Sequence, residues 1–501
     1  MKKQLYLVFV ILICNASQAQ GIADAMRYAQ ENINGTARFR AMSGAFGAVG
    51  GDFSAINVNP AGSSVFADNQ VGVTLSLYNT KNKAGYFGTN TSDSNISFDL
   101  NQAGAVFILN SISEKTKWKK FALSVNYDNT NSYDNSMFIA GTNTNHSIGD
   151  YFTSYANQVG LPANFLGSAY FDELSLRERQ AFLGYDTNVI GPVGGNGNST
   201  SYVSNVPAGT YYQDNYTETT GYNGNLSFNA SAAYDDRFYF GLNLNTYFND
   251  YTKTSSFYEE NNNPQLGGSP TVRNVTFNND THTYGNGFSF QLGGIAKITN
   301  EFRVGLAYES PTWYNLNDEV SQIVYSDGLN YPGGVNSAVS NSNIVIVYDP
   351  YKLKTPGKFT GSLAYVFGKY GLLSVDYSIK DYSSTRFRPE DSYFNPINND
   401  MSNMLDTAGE LRIGGEYRIK NWSLRGGFRY DESPYKNGNT IGDLTGFSGG
   451  FGYQFPRTRL DLSYSHAQRN SQQGLFSQGL IDPVMMKTQN NNFSLGLVFE
   501  L

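Results

Sequence analysis

The sequence predicts an all-β fold, a transmembrane antiparallel β-barrel of about 14 strands with an N-terminal hatch in its lumen. Three observations carry that expectation. The first is composition. Of 501 residues only 15% are charged, against about 25% in ordinary soluble domains, while aromatics also reach 15%. Tyr (37) and Phe (34) far outnumber Trp (3), Gly reaches 52, and the mean hydropathy is still -0.40. Such a chain is aromatic yet hydrophilic on average when apolar residues alternate with small polar ones. The second is that alternation. Val71, Val73, Leu75 and Leu77 interleave with Gly72, Thr74 and Ser76, and Phe238, Phe240, Leu242 and Leu244 repeat the pattern. The third is an asymmetry of connections, tight turns on one rim and long loops on the other. The aromatic content excludes disorder, and beyond the first twenty residues no run of ~18 apolar residues offers a helical span.

Taken in chain order, Lys2 and Lys3 precede an apolar run from Leu5 to Cys14, and Ser17-Gln18-Ala19 supplies small residues before a cut at Gln20. Residues 1–19 therefore read as a cleaved signal peptide, placing the protein in the outer membrane of a Gram-negative bacterium. Cys14 is the only cysteine, so the exported chain has no disulfide. Cleavage removes two lysines and no acid from a formal charge of -7, leaving no basic footprint for nucleic acid. Residues 20–69 lack barrel alternation and are expected to form the hatch, closing on Asn59-Pro60-Ala61-Gly62, a turn-forming tetrapeptide. Residues 70–501 are expected to form the barrel, in spans of nine to eleven residues by the rule for tilted strands.

Asp235-Asp236, Thr299-Asn300, Lys420-Asn421 and Pro456-Arg457 mark the tight turns. The long connections are 129–220, 258–282, 318–342 and 384–407. In the first, Tyr151, Phe152, Tyr155 and Val159 recur at helical spacing, and residues 169–183 read as a second short helix. Tyr151, Phe152, Tyr155, Tyr170 and Phe171 then form either a loop packed by its own aromatics or an extracellular surface that captures an apolar ligand.

Parity assigns the lumen. With Leu411, Ile413 and Tyr417 facing lipid, Arg412, Glu416 and Arg418 point inward, and the same argument turns Arg425, Arg429, Asp461 and Asp376 inside. An arginine on the lipid face near the midplane costs about 2–4 kcal/mol. These charges brace the strands as arginine–carboxylate pairs, or one of the arginines receives a ligand carboxylate. The last segment, ending Phe493, Leu495, Leu497, Phe499 and Leu501, resembles the signal read by the barrel-assembly machinery of bacterial outer membranes.

Several segments, in order, carry a wider resemblance: Asn59-Pro60-Ala61, then FRVGLAYESP (Phe302 to Pro311), LKTPGK (Leu353 to Lys358) with Gly361 and Tyr365, LRIGGEYRIKNWSLRGGFRYDESP (Leu411 to Pro434), Gly450 to Tyr453, and LDLSY (Leu460 to Tyr464). The chain resembles the FadL/TodX (OmpP1) family of outer-membrane transporters for long-chain fatty acids and other hydrophobic compounds. The 129–220, 258–282 and 384–407 stretches match no block of that family. The resemblance implies passive transport: loops capture the ligand, an internal pocket holds it, a hatch around Asn59, Pro60, Ala61 and Gly62 rearranges, and the ligand leaves sideways. It implies as partners a hydrophobic small molecule (a fatty acid or an aromatic hydrocarbon) and outer-membrane lipid, with a monomeric barrel and no cofactor.

Other classes fare worse. Only His146, His282 and His466 are present, the first two in what reads as loop, and no Gly-x-Ser-x-Gly elbow occurs, so no enzyme is expected. No His/Cys ligand spacing marks a metal site. A receptor for haem or another hydrophobic ligand, or a general porin, stands as the alternative. The hatch separates the last from the rest, since a porin needs an open bore.

Overall fold

The computed structural model describes residues 21–111, 115–267, 270–328, 337–341 and 344–501. The expected signal peptide, 1–19, lies outside them. Fourteen antiparallel staves close into a barrel: β1 (Gln70–Tyr86), β2 (Thr89–Asn110), β3 (Trp118–Ser132), β4 (Tyr211–Tyr234), β5 (Phe238–Glu260), β6 (Asn274–Lys297), β7 (Phe302–Glu309), β8 (Lys358–Val366), β9 (Gly371–Asp381), β10 (Thr407–Ile419), β11 (Trp422–Asp431), β12 (Ile441–Gln454), β13 (Thr458–Gly474) and β14 (Pro483–Glu500). Each pairs with the next, and β14 returns to β1 with Glu500 opposite Gln70, so the sheet keeps no free outer edge there. No helix among the described residues is long and apolar enough to cross a membrane; the strands do the crossing.

The alternation explains the wall. On β5, Phe238, Phe240, Leu242, Leu244 and Phe248 are exposed on the outside, while Asn243, Asn245 and Asn249 are buried inside. The same division holds on β9, where Leu373, Val375, Tyr377 and Ile379 face out and Ser374, Asp376 and Ser378 face in. The expected tight turns at 235–236, 299–300, 420–421 and 456–457 all separate consecutive staves.

Two expectations are corrected. Strands of nine to eleven residues were expected, but β4, β5 and β6 run to 24, 23 and 24 residues. The Asn-, Thr- and Tyr-rich stretches read as loop within 211–220, 258–260 and 274–282 are paired strand above the membrane. With water on the outside, pairing there needs no apolar alternation. Trp313–Asp327 likewise extends the sheet beyond β7 by pairing with β6. His282 thus lies on β6, not in a loop. The far rim is also not uniformly looped: β1 and β2 join through Phe87-Gly88, both at positive φ, as a two-residue hairpin requires.

Residues 21–69 contain no barrel strand. Helix α1 (Ile22–Ala29) stands high in the lumen, and helix α2 (Ala37–Ala41) and 3₁₀ turns at Ser54–Asn57 and Pro60–Val65 fill it below. Ala25, Met26 and Ala29 of α1 pack among Tyr314, Leu405, Tyr435 and the loop helix Phe394–Met404, which contributes Phe394 and Met401. Above the barrel the 129–220 connection builds a helical cap. Helix α3 (Ile148–Val159) has an Ser147/Asp150 capping box and ends on Gly160 at φ 64°, and helix α4 (Leu176–Asp186) packs against it.

Candidate functional site

Residues 21–69 can be seated inside a barrel only if the wall yields space, and glycine supplies it. A Cβ at Gly241, Gly293 or Gly305 would fall inside the contact distance of Pro60, Asn59 and Gly47 respectively. On this bare floor of β5, β6 and β7, Asn59 Nδ2 donates to Gly47 O at 2.7 Å and Gly294 O at 3.0 Å. Its Oδ1 accepts from Ala61 N at 3.2 Å, capping the turn that Pro60 opens. Gly62 packs against Gly50, and Asn229 Nδ2 donates to Pro60 O at 2.9 Å. Asn59, Pro60, Ala61 and Gly62 are all buried.

On the opposite wall the inward charges meet. Glu416 Oε2 accepts from Arg38 Nε at 2.9 Å and Arg425 Nε at 2.7 Å, and its Oε1 lies 2.5 Å from Arg418 Nη2. Arg425 Nη1 continues to Asp461 at 2.6 Å, which also takes Arg459. Asp376 Oδ2 accepts the backbone N–H of Phe46 and Gly47 at 2.8 and 2.9 Å. Arg412 pairs with Glu410 at 3.1 Å, and Arg429 with Asp431. Each of these charges is thus tied to the wall or to the N-terminal segment, and Arg418 alone among them keeps a largely exposed side chain, 43%. Sequence reasoning missed their counterparts: Arg38 itself, and Glu31, which sits 2.7 Å from Lys358 and 2.9 Å from Lys380. The available signal was two arginines, Arg38 and Arg40, in a stretch from Ile33 to Gly51 that holds no acid.

The wall itself is interrupted. The β2–β3 ladder stops at Gln102 opposite Asp128. Above that level β2 pairs only with β1, and β3 only with β4. A bulge marks each lip: the β1–β2 register skips Asn101, and the β3–β4 register skips Thr130. Higher still, Asn135–Asn143 tucks under the β1–β2 hairpin, with Asn82 Nδ2 donating to Asn135 Oδ1 and Ser136 O at 2.6 Å. Ile96, Phe98 and Leu100 beside the gap are exposed on the lipid side.

Both bulges are held from within by residues 30–35. Asn101 Nδ2 donates to Gly35 O at 2.5 Å, Asn34 Nδ2 to Thr130 O at 3.0 Å, and Asn32 Nδ2 to Asn131 Oδ1 at 3.0 Å. Gly35 sits at φ 119°, where any Cβ would strike Ser54. Over the plug and against this lip lies a cavity of about 390 Å³, bordered by Tyr78, Tyr133, Asp134 and Arg40.

The aromatic surface expected on the first long loop is corrected in part. Tyr151, Phe152 and Phe171 are buried in the cap's own core, with Phe257 and Phe277 of the barrel. Two adjacent aromatics on α3 cannot both face water when α4 and two strands cover that side. Tyr155 is half-buried and Tyr170 is exposed. His146 pairs with Asp482 at 2.8 Å, and His466 with Asn491 at 2.9 Å. Among the described residues no group of three or more His, Cys, Asp or Glu is placed to hold a metal.

A family model described as outer membrane protein transport protein (OMPP1/FadL/TodX) matches residues 187–478. Among solved structures, a FadL homologue of Pseudomonas aeruginosa is 14% identical with a TM-score of 0.54, covering 94% of this chain and 99% of that one. The toluene transporter TodX of P. putida is 12% identical (TM-score 0.49, 94% and 99% covered). The toluene transporter TbuX of Ralstonia pickettii is 13% identical (TM-score 0.46, 94% and 100% covered). No curated protein sequence matches.

Proposed function

Because the chain belongs to the OMPP1/FadL/TodX family of outer membrane transport proteins, whose model matches more than half of it, we propose that it passively carries hydrophobic compounds, foremost long-chain fatty acids, and releases them sideways into the bilayer. One observation carries this reading: the gap between β2 and β3 lies against a cavity above a plugged bore. A water-filled tube gives an acyl tail nothing, since each buried CH₂ is worth about 0.8 kcal/mol. An exit through the wall hands the tail from the cavity straight to the lipid-side Ile96, Phe98 and Leu100, without a passage through the water-facing bore. A general porin would need the bore that residues 21–69 occupy.

In this mechanism the exposed Tyr170 edge of the cap meets the ligand, and the cavity above the plug holds it. Asn59, Pro60, Ala61 and Gly62 are the fixed end of the hatch, docked on glycine. Residues 30–35 are its working end, because their amides and carbonyls hold both bulged lips. Rearranging them frees Asn101 and Thr130 and lets the lips part. The cargo that names the solved neighbours, toluene, belongs to the same class of apolar solute, for which the route needs no head-group site.

The test uses the gap. Asp99 and Ser132 face each other across it, and Cys14 is the one cysteine of the sequence. An Asp99→Cys/Ser132→Cys pair, oxidised in proteoliposomes, is expected to stop uptake of labelled oleate and toluene, and reduction to restore it. Uptake that persists in the oxidised protein refutes lateral release. Uptake no faster than through an empty barrel, in the wild type, refutes transport.

A further inference from the structure

The charges that the N-terminal segment carries into the barrel meet opposite charges, with one exception. Arg27 pairs with Asp24, Glu31 with Lys358 and Lys380, and Arg38 with Glu416 and Asp52. Arg40, on α2, is 1% exposed, and among the described residues no carboxylate lies within 4 Å of it. Its contacts are neutral and mostly long. Nη1 donates to Ser76 Oγ at 3.3 Å and to Tyr78 OH at 3.4 Å, and Nη2 to Ser465 Oγ at 3.4 Å. In the amide orientation that satisfies both its ends, Asn492 Oδ1 accepts from Nη2 at 3.0 Å. A guanidinium buried without a counter-ion is unfavourable unless something else supplies the charge.

Arg40 borders the cavity of about 390 Å³, whose other ionisable groups are Arg27, Arg429, His466 and Asp134. Arg27 and Arg429 bring their own aspartates, so the unbalanced positive charge there is that of Arg40. The cavity runs from this guanidinium past Tyr78 and Tyr133 to Asp134 at the lip of the β2–β3 gap. We propose that Arg40 is an anion-binding subsite on the hatch itself, taking the carboxylate of an amphipathic ligand whose tail points to the gap. The inference rests on the transport reading and adds to it a receptor for the head group. Asp134 repels a carboxylate, so the tail enters the lip first while Arg40 retains the head. Asn32 and Asn34, which tie the bulges, border the same cavity, and a ligand seated there presses on the working end of the hatch.

The experiment titrates the full-length barrel, in neutral detergent, with dodecanoate, dodecan-1-ol, acetate and toluene by calorimetry. The wild type is expected to bind dodecanoate about ten-fold or more tighter than dodecan-1-ol, as a charge-assisted hydrogen bond adds, and acetate far more weakly. Arg40→Gln is expected to erase the preference and Arg40→Lys to keep part of it. Asn492→Asp installs a counter-ion beside Arg40 and should also erase the preference while raising Tm; it decides the matter should Arg40→Gln not fold. A preference that survives in Asn492→Asp or Arg40→Gln overturns the proposal, as does equal binding of the two amphiphiles by the wild type. Acetate as tight as dodecanoate overturns the amphiphile. If neither amphiphile nor toluene binds the wild type, the transport reading falls with it.

Discussion

Glu416 takes Arg38 from the plug and Arg418 and Arg425 from the wall, so a change there acts on both at once. Glu416→Gln leaves two buried guanidiniums without their shared counter-ion. It should cost about 3–5 kcal/mol, read as a lower Tm, and loosen the plug, read as more frequent current bursts in planar bilayers. Gly293→Ala probes the other side of the plug. The added methyl meets Asn59 Oδ1 and Pro60 Cδ, so the docked turn cannot seat. Conductance should rise with the barrel still folded; an unchanged trace would show that the Asn59 turn does not seal the bore. Parity alone was enough to point Arg412, Arg425, Arg429 and Asp376 inward, because a lipid-facing charge is so costly. The plug's share of that network was not legible, since Arg38 and Glu416 are 378 positions apart and no local pattern links them.

The cap above the barrel is an element with a core of its own. Phe152 is fully buried there against Phe277 and Gly184. Phe152→Ala should cost about 3–5 kcal/mol of cap stability, seen as faster proteolysis within 144–210 and an undisturbed transmembrane band. Tyr170→Ala should leave the cap intact. The cap is also tied to the barrel by the Glu259 carboxyl, above the lipid-facing band of β5, which meets Ser147 Oγ at 2.6 Å, Ile148 N at 2.8 Å and Gln213 Nε2 at 2.7 Å. Burial pushes it up to about 7 from an ordinary 4.5. The folded state then holds its proton to higher pH than the unfolded chain. Its contribution is therefore whole below about 4.5 and lost as pH rises through about 7. Amide protection across 144–210, corrected for the intrinsic exchange rate at each pH, should be greatest near pH 5 and weaker at pH 8, and Glu259→Gln should flatten that dependence. The helix around Tyr151 was legible from its spacing, whereas the second, expected over 169–183, forms only from Leu176 to Asp186 after a 3₁₀ turn at Phe171–Glu173. That they bury their aromatics was not legible, because the strands covering them lie a hundred residues further along.

A barrel with its bore occupied conducts only as its plug permits. Deletion of residues 21–65 should raise small-ion conductance severalfold in planar bilayers, as a cleared lumen of a 14-stranded barrel is water-filled; a trace like the wild type's would place that segment outside the conducting path. Alternation of Phe, Leu and Val with Asn, Ser and Gly was sufficient to announce a barrel, its inside and outside, its approximate strand number and the tight turns of one rim. These follow from the chain's local chemistry, because a strand has period two and a bilayer tolerates apolar side chains on one face alone. Where the wall opens, which arginine lacks a counter-ion, and how far β4 to β6 climb out of the lipid emerged only once the chain was folded. Each depends on distant segments meeting: Asn101 with Gly35, Arg40 with Ser465 and Asn492, β5 with β6 in water. A ladder's end and an unanswered charge are relations between partners, and closure of the sheet is what chooses the partners.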